Sequence, residues 1–234
     1  MSVVLYTLGW VPDFPCGFVR DLRVRWTLEE ILRPYKVATV PSDPKSDEHR
    51  AIQPFGQVPA IRDGDLTLFE SGAIVLHLTE GTPLLPEGRR AEVTQWLIAA
   101  LNTVEIASSG WIGMVLAGRW PEIFGPPSPP EAVEYARRTV IARLDALERL
   151  MADRDWIVGD FSAADIIMVD TLRVIEAEGE LTDHPALTSY VARHRPGCLR
   201  QGHGRSHGPL AGSGWRASNG EVRLSRIPMA RERR

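Results

Sequence analysis

Gln57-Val58-Pro59, the hairpin behind it and Leu68-Phe69-Glu70-Ser71-Gly72-Ala73-Ile74 constrain this chain more than any other stretch. A residue that precedes proline is held out of the helical region, so Val58 is extended. Ala60-Ile61-Arg62 and Leu66-Thr67-Leu68 flank Asp63-Gly64, a strong signal for two short antiparallel strands. Glu70 and Ser71 then put a carboxylate and a hydroxyl at a helix start, with Ser71 able to cap a helix over Gly72–Thr79. An extended clamp, a hairpin and a helix N-terminus are thus forced close together along the chain.

The residues upstream complete an α/β pattern. Val3 to Leu8 is an apolar run suited to a buried strand, and Gly9 to Gly17 is a loop punctuated by Pro and Gly. Phe18, Leu22 and Trp26 recur at four-residue steps, with Val24, Leu28 and Ile31 beside them, which predicts a helix from Phe18 that Pro34 terminates. Lys36 to Val40 reads as a second strand, and Pro41 to Arg50 as irregular with one helical turn. Residues 82–88, rich in Pro and Gly, read as a linker between a unit at 1–81 and a second at 89–196.

Beyond the linker the pattern is helical throughout. Val93, Trp96, Leu97, Ala100, Leu101 and Val104 fit one apolar stripe. Pro121 to Pro130 breaks the pattern, and Val140, Leu144, Leu147 and Met151 mark the next amphipathic helix. Ser162-Ala163-Ala164-Asp165 has the form of a capping box, with Asp for the usual Glu. The residues behind it, Ile166 to Ile175, are apolar nearly all round, which predicts the buried centre of a bundle. Pro185 suits the first turn of a last helix, Ala186–Arg193.

Composition excludes several classes. With 44% hydrophobic residues, 24% charged residues and a net charge of −3, the chain is neither a basic nucleic-acid binder nor a disordered acidic one. No apolar run is expected to span a membrane, and no secretory leader is read at the N-terminus. Cys16 and Cys198 are too few for a disulfide framework, so a reduced, cytoplasmic protein is expected.

The run Gln57-Val58-Pro59-Ala60-Ile61 with Leu68-Phe69-Glu70-Ser71-Gly72-Ala73-Ile74 resembles the glutathione-binding half of the glutathione S-transferases, which reads x-V-P-A-L…L-x-E-S-x-A-I. Trp156 to Asp165 is similar to that family's helical-domain signature. The resemblance extends from Met1 to about Pro196. It implies a thioredoxin-like α/β domain followed by an all-α bundle, a glutathione co-substrate, no metal, a hydrophobic electrophile as second substrate, and a homodimer built on the Glu70–Glu80 helix and the first two bundle helices. It also implies a cis bond before Pro59.

Each part of glutathione then has an expected partner. Val58 and Pro59 present a strand-like edge to the cysteinyl backbone. Glu70 pairs with the γ-glutamyl ammonium, and Ser71 with the free amides of its helix meets the carboxylate. Gln57 is a further contact, with Gln53 and His49 behind it. Trp111 and Met114 are candidates for the second-substrate pocket. The sulfur must be held as a thiolate, and lowering a thiol pKa by about two units takes about 2.7 kcal/mol. Here the chain departs from the family. Ser- and Cys-type members place the sulfur-contacting residue about six positions before the valine matching Val24, and that position is Phe18, which has no donor. Cys16 is the nearest candidate; Trp10 and the amides of Gly17 and Phe18 are alternatives, and Tyr6, inside the first strand, is a poor one. Three functions follow: conjugation of glutathione, a glutathione-dependent reductase or lyase using Cys16, or a non-catalytic binding module.

The basic tail 197–234 breaks the pattern. Arg200, Arg205, Arg216, Arg223, Arg226, Arg231, Arg233 and Arg234 face only Glu221 and Glu232, with no apolar period, which reads as a disordered extension. Back-translated with GC-rich codons and shifted by one base, Gly197–Gly212 can read A-A-F-G-K-A-M-A-D-H-M-A-H-W-L. That resembles the family's C-terminal R-P-A-F-x-K-A-x-A-D, so a frameshift near Gly197 is expected. Resequencing the gene tests it, since codons incompatible with that frame remove the idea.

Overall fold

The structure is a computed structural model and describes residues 2–11, 17–42 and 44–193. Both cysteines and the whole basic tail lie outside the described residues.

The first unit runs β1 (Val3–Leu8), α1 (Asp21–Glu30), β2 (Tyr35–Val40), α2 (Asp47–Ile52), β3 (Ala60–Asp63), β4 (Leu66–Phe69) and α3 (Ser71–Thr79). Strand order is β2-β1-β3-β4. The α1 crossover lets β1 and β2 pair in parallel, Val3 opposite Tyr35 and Leu8 opposite Val40. β3 returns antiparallel on β1 with Leu5 opposite Ile61, and the Asp63-Gly64 turn sets β4 beside it with Ile61 opposite Leu68. Period-two burial puts Val3 and Leu5 on the face covered by the helices, where Val24, Leu28, Ile61, Ile74 and Leu78 close the core. This is the thioredoxin-like arrangement expected from the sequence.

The helical unit follows. A 3₁₀ turn at Glu87–Arg89 leads into α4 (Arg90–Ala99), a π-helical stretch (Ala100–Glu105) and α5 (Ile106–Arg119) without a break. α6 (Pro121–Phe124), α7 (Pro130–Met151), α8 (Ala163–Ala177) and α9 (Pro185–Arg193) complete it. α8 is buried on all sides from Ala163 to Leu172, as its composition required. Trp26 of α1 and Val75 of α3 belong to the same apolar core as α8, so the two units share packing.

Three expectations need correction. α1 starts at Asp21, not Phe18. Gly17 takes a φ of 82° and Val19 and Arg20 accept turn bonds from Leu22 and Arg23, so Phe18 belongs to the turn before the helix. Ser71 is the first residue of α3 and not its cap, because Glu70 occupies the cap position. The continuous helix Glu87–Arg119 is, by length and composition alone, apolar enough to cross a membrane, contrary to the expectation of no such run. Here it packs on α3, α7 and α8, with Glu105 in its middle held in ion pairs.

The capping residue Asp165 anchors the bundle. Its carboxylate accepts from the amides of Ile157 (3.0 Å) and Ser162 (2.9 Å), the Ser162 hydroxyl (2.8 Å) and the Tyr190 hydroxyl (2.7 Å). Burial pushes this carboxyl up from its usual range, while the four donors pull it down. Burial also pushes the Tyr190 phenol well up.

The hairpin is tied at Asp63, which accepts from Arg33 (2.7 Å) and His77 (2.8 Å). The His77 hydrogen bond, with Arg33 beside it, holds the Asp63 carboxyl below the usual carboxylate range. A folded-state value below the unfolded one stabilises the fold above the unfolded pKa, and that contribution disappears as pH falls through the folded value. Asp63→Asn should therefore cost up to about 1 kcal/mol at neutral pH, because the site is partly solvated. Denaturant melts of the two proteins should converge in strong acid.

Candidate functional site

The loop before β3 is shaped from beneath by α2. Ser46 caps that helix by accepting from the His49 amide at 3.2 Å. At its other end the Gln53 carbonyl accepts from the Gly56 amide at 2.9 Å, and Gly56 takes a φ of 64° that an L side chain rarely adopts. The Gln53 side chain accepts from the Gln57 amide at 3.0 Å, and the His49 Nε2–H donates to the Gln57 carbonyl at 2.8 Å. Gln57 is exposed, Val58 half-buried and Pro59 buried, and the Val58–Pro59 peptide bond is cis. His49 and Gln53, weighed as ligand contacts from the sequence, are both buried beneath the loop and hold its backbone. The Gln57 carbonyl draws His49 in from an otherwise polar stretch. Lys45 lies against Gly56, where an added Cβ would meet its Cγ at 3.2 Å.

The second half of the site is the start of α3. β4 delivers Glu70 with φ 69° and ψ 114°, left-handed backbone at a non-glycine residue and so a local strain of about 1–3 kcal/mol. That conformation leaves Glu70 exposed and turns the chain so that Ser71 is buried. As at any helix start, the first amides of α3 have no intrahelical acceptor and carry partial positive charge. Gly72 lets this end approach the long helix, since an added Cβ would lie 2.6 Å from Leu101 Cδ1.

A charged network behind Ser71 was not foreseen. Arg23, only 1% exposed, donates from Nη1 to Ser71 Oγ (3.2 Å), from Nε to Asp170 (2.7 Å) and from Nη2 to Glu105 (2.7 Å). Glu105 also pairs with Arg20 at 3.0 Å, and Asp170 with Arg173 at 3.1 Å. Burial opposes the Glu105 charge, but Arg23 and Arg20 outweigh it and hold the carboxyl below its usual range. Likewise burial opposes the Arg23 charge, and Asp170 and Glu105 outweigh it. The signal was in α1: Asp-Leu-Arg-Val-Arg-Trp is buried on all sides, and buried arginines need acidic partners. Which partners they would find, 82 and 147 residues away, no local pattern could say. Two residues on, Arg25 pairs with Asp21 at 2.9 Å.

The sulfur end is less complete. Cys16 lies outside the described residues. Phe18 is half-buried, with the Arg173 guanidinium 5.5 Å from its ring centroid. Tyr6 sits in β1 beneath Arg62, and Trp10 is exposed. Trp111 and Met114 do come together, in a groove of about 510 Å³ between α5 and α7 that Ala107, Tyr135 and Ala136 also line. All its walls come from the helical unit, and none from the Val58 or Ser71 segments. Among the described residues no cluster of His, Cys, Asp and Glu could hold a metal ion.

Comparison with known proteins bears on both units of the fold. Residues 16–80 match the glutathione S-transferase N-terminal domain and residues 114–195 the C-terminal domain. Glutathione S-transferase F9 of Arabidopsis thaliana is 30% identical over 141 residues, 55% of this chain and 64% of that protein. The probable glutathione S-transferase GSTF1 of Oryza sativa subsp. japonica is 32% identical over 164 residues, 65% of this chain and 74% of its own length. Among solved structures, a glutathione transferase family member from Pseudomonas fluorescens with two glutathione bound superposes with a TM-score of 0.69 at 26% identity, over 82% of this chain and 87% of that one. Glutathione S-transferase I from maize, in complex with an atrazine glutathione conjugate, gives 0.68 at 25% identity, over 84% and 94%. With sheet unit and bundle both matched, this chain belongs to the glutathione S-transferase family, a family of transferase enzymes.

Proposed function

We propose that this protein binds glutathione across the Gln57–Pro59 loop and the Glu70–Ser71 helix start, and joins its thiolate to a hydrophobic electrophile. The observation that carries the reading is the juxtaposition itself. The β3–β4 hairpin sets a strand edge ending in a cis proline beside a helix N-terminus whose serine is backed by a buried arginine. The extended edge suits the cysteinyl peptide groups. Ser71 and the free amides suit the γ-glutamyl carboxylate, and exposed Glu70 suits the ammonium. Lys45 suits the glycine carboxylate. Glutathione and conjugate complexes of the relatives support the same assignment. The protein would act in the cytoplasm, as the family does, and one role that fits is detoxification.

A glutathione-affinity matrix tests binding: retention with elution by free glutathione is expected, and passage through the column refutes the reading. A conjugation assay run beside disulfide reduction then separates transfer from a thiol-disulfide reaction through Cys16.

We further propose a homodimer. The groove at Trp111 and Met114 is lined mostly by apolar side chains, and Tyr135 on its rim is 69% exposed. Phe55, 68% exposed beside Phe69 on the sheet unit, is an apolar side chain of matching size. A two-fold pairing of α3 and the Phe55 loop with the partner's α5 and α7 would cover both surfaces. Sedimentation should find a dimer, and Phe55→Ser should weaken it at least tenfold; a monomer in the unaltered chain would end this proposal.

A further inference from the structure

The long helix belongs to the helical unit, yet it reaches the start of α3 through successive residues. Leu97, Leu101 and Glu105 follow one another at steps of four. An α-helical row at that spacing drifts round the helix axis, and the wider turns of the π-helical stretch Ala100–Glu105 oppose the drift. Leu97 and Leu101 both crowd Gly72, where an added Cβ would lie 3.0 and 2.6 Å from their Cδ atoms. Glu105, one step further and 14% exposed, meets the guanidinium behind Ser71.

That guanidinium is held in one plane. Arg23 Nη1 and Nη2 grip the two oxygens of Glu105 at 3.2 and 2.7 Å, a fork that sets the orientation of the group. Nε donates to Asp170 on α8 at 2.7 Å and fixes its other side. The half-exposed Arg20 shares the same Glu105 oxygen as Nη2, at 3.0 Å. With one Nη1 proton on Glu105, the other goes to Ser71 Oγ at 3.2 Å. The hydroxyl thus receives a hydrogen bond from inside the protein, and among the described residues its own proton has no acceptor. A free hydroxyl turns to suit whatever meets it. This one is engaged through its oxygen and is left as a donor.

We infer that Arg23 and Glu105 are positioning residues for the γ-glutamyl carboxylate: Glu105 fixes the guanidinium, the guanidinium fixes Ser71 as a donor, and the subsite thereby selects a carboxylate over a carboxamide. This rests on the glutathione-binding reading above. An ionised carboxylate only accepts, so a hydroxyl held as a donor suits either of its oxygens. A carboxamide presents an NH₂ in place of one oxygen, and that group needs an acceptor. The Ser71 oxygen, already taken up by Arg23, is a poor one. Both positioning residues act through Ser71, and Glu105 does so from the helical unit. Glutathione affinity, seated on the sheet unit, is in this way set partly by the bundle.

The test titrates full-length variants, by calorimetry and without electrophile, with glutathione and with glutathione whose γ-glutamyl carboxylate is replaced by a carboxamide. Glu105→Gln keeps the size of the side chain but has one acceptor oxygen, and its NH₂ would meet the guanidinium donor to donor, so the fork opens. It should weaken glutathione about fivefold and leave the amide analogue nearly as it was, so the preference for the carboxylate falls by about the same factor. In a Ser71→Ala background the same change should cost less than about twofold, because the group through which Glu105 acts is gone. Unchanged affinity, an equal loss in both backgrounds, or an equal loss for both ligands overturns the inference and leaves Glu105 a support of the fold. Should Glu105→Gln not fold, Glu105→Asp goes through the same cycle: it keeps the charge but draws it back by one methylene, and both ratios should fall in the same direction. An unaltered chain that fails to bind glutathione removes the binding reading itself. One that binds it, while Glu105 and Ser71 act additively, removes this inference alone.

Discussion

Replacing Ser71 by alanine should lower kcat/KM for glutathione about 10- to 100-fold, because hydrogen bonds to a charged acceptor contribute about 1.5–3 kcal/mol. The geometry gives the direction. Ser71 Oγ already accepts from Arg23 at 3.2 Å, so its one proton is free to point outward. A ligand carboxylate would meet a hydroxyl whose acceptor side is engaged by a cation, which makes it a better donor. Alanine removes that donor and also takes one of the two acceptors of Arg23 Nη1, leaving Glu105 at 3.2 Å. Loss of affinity should therefore exceed what a solvent-exposed serine would give. Isothermal titration with glutathione, before any electrophile is added, isolates the effect. An Ser71→Ala protein that binds glutathione as tightly as the unaltered chain would place the carboxylate elsewhere.

Asp165→Ala should be the most destabilising single change in the helical unit, costing about 3–5 kcal/mol. Four donors lose their acceptor at once, and all of them come from three buried residues, Ile157, Ser162 and Tyr190. Tyr190 is fully enclosed and cannot turn to water, which adds to the cost. The start of α8 would fray, and with it the loop that carries Trp156 and Phe161 against Trp26. Chemical denaturation followed by tryptophan fluorescence reads this directly. A loss below about 1 kcal/mol would mean that water replaces the carboxylate.

Much of the architecture was readable because it rests on local rules. Asp63-Gly64 between apolar runs dictated the hairpin, and Ser162 with Asp165 the start of α8, whereas the first helix ends at Glu30 through a left-handed Leu32, ahead of Pro34. The helix at Gly72–Thr79 was displaced by one residue, because the turn is made by backbone strain at Glu70 and not by a serine cap. The same held at Phe18, whose place in an apolar period hid its role in a turn. In the site, Val58, Pro59, Glu70 and Ser71 are set side by side, since a hairpin alone brings them together. The Arg23–Glu105–Asp170–Arg173 set stayed hidden because its members meet only through packing of α1 on α8 and the long helix. His49 misled for a related reason: a polar sequence context says nothing about a carbonyl folded back from Gln57.

The position of Arg23 has a consequence for how the protein comes apart. One guanidinium is held at once by α1, α3, the π-helical stretch and α8. Pulling the sheet unit off the bundle would strip a buried cation of both carboxylates and bare the Trp26 and Val75 surfaces together. The two units therefore have no inexpensive way to separate, and melting should be a single cooperative transition seen equally by fluorescence and by circular dichroism. For the same reason the first 81 residues expressed by themselves should be a poor folder, even though they contain nearly every group assigned to glutathione.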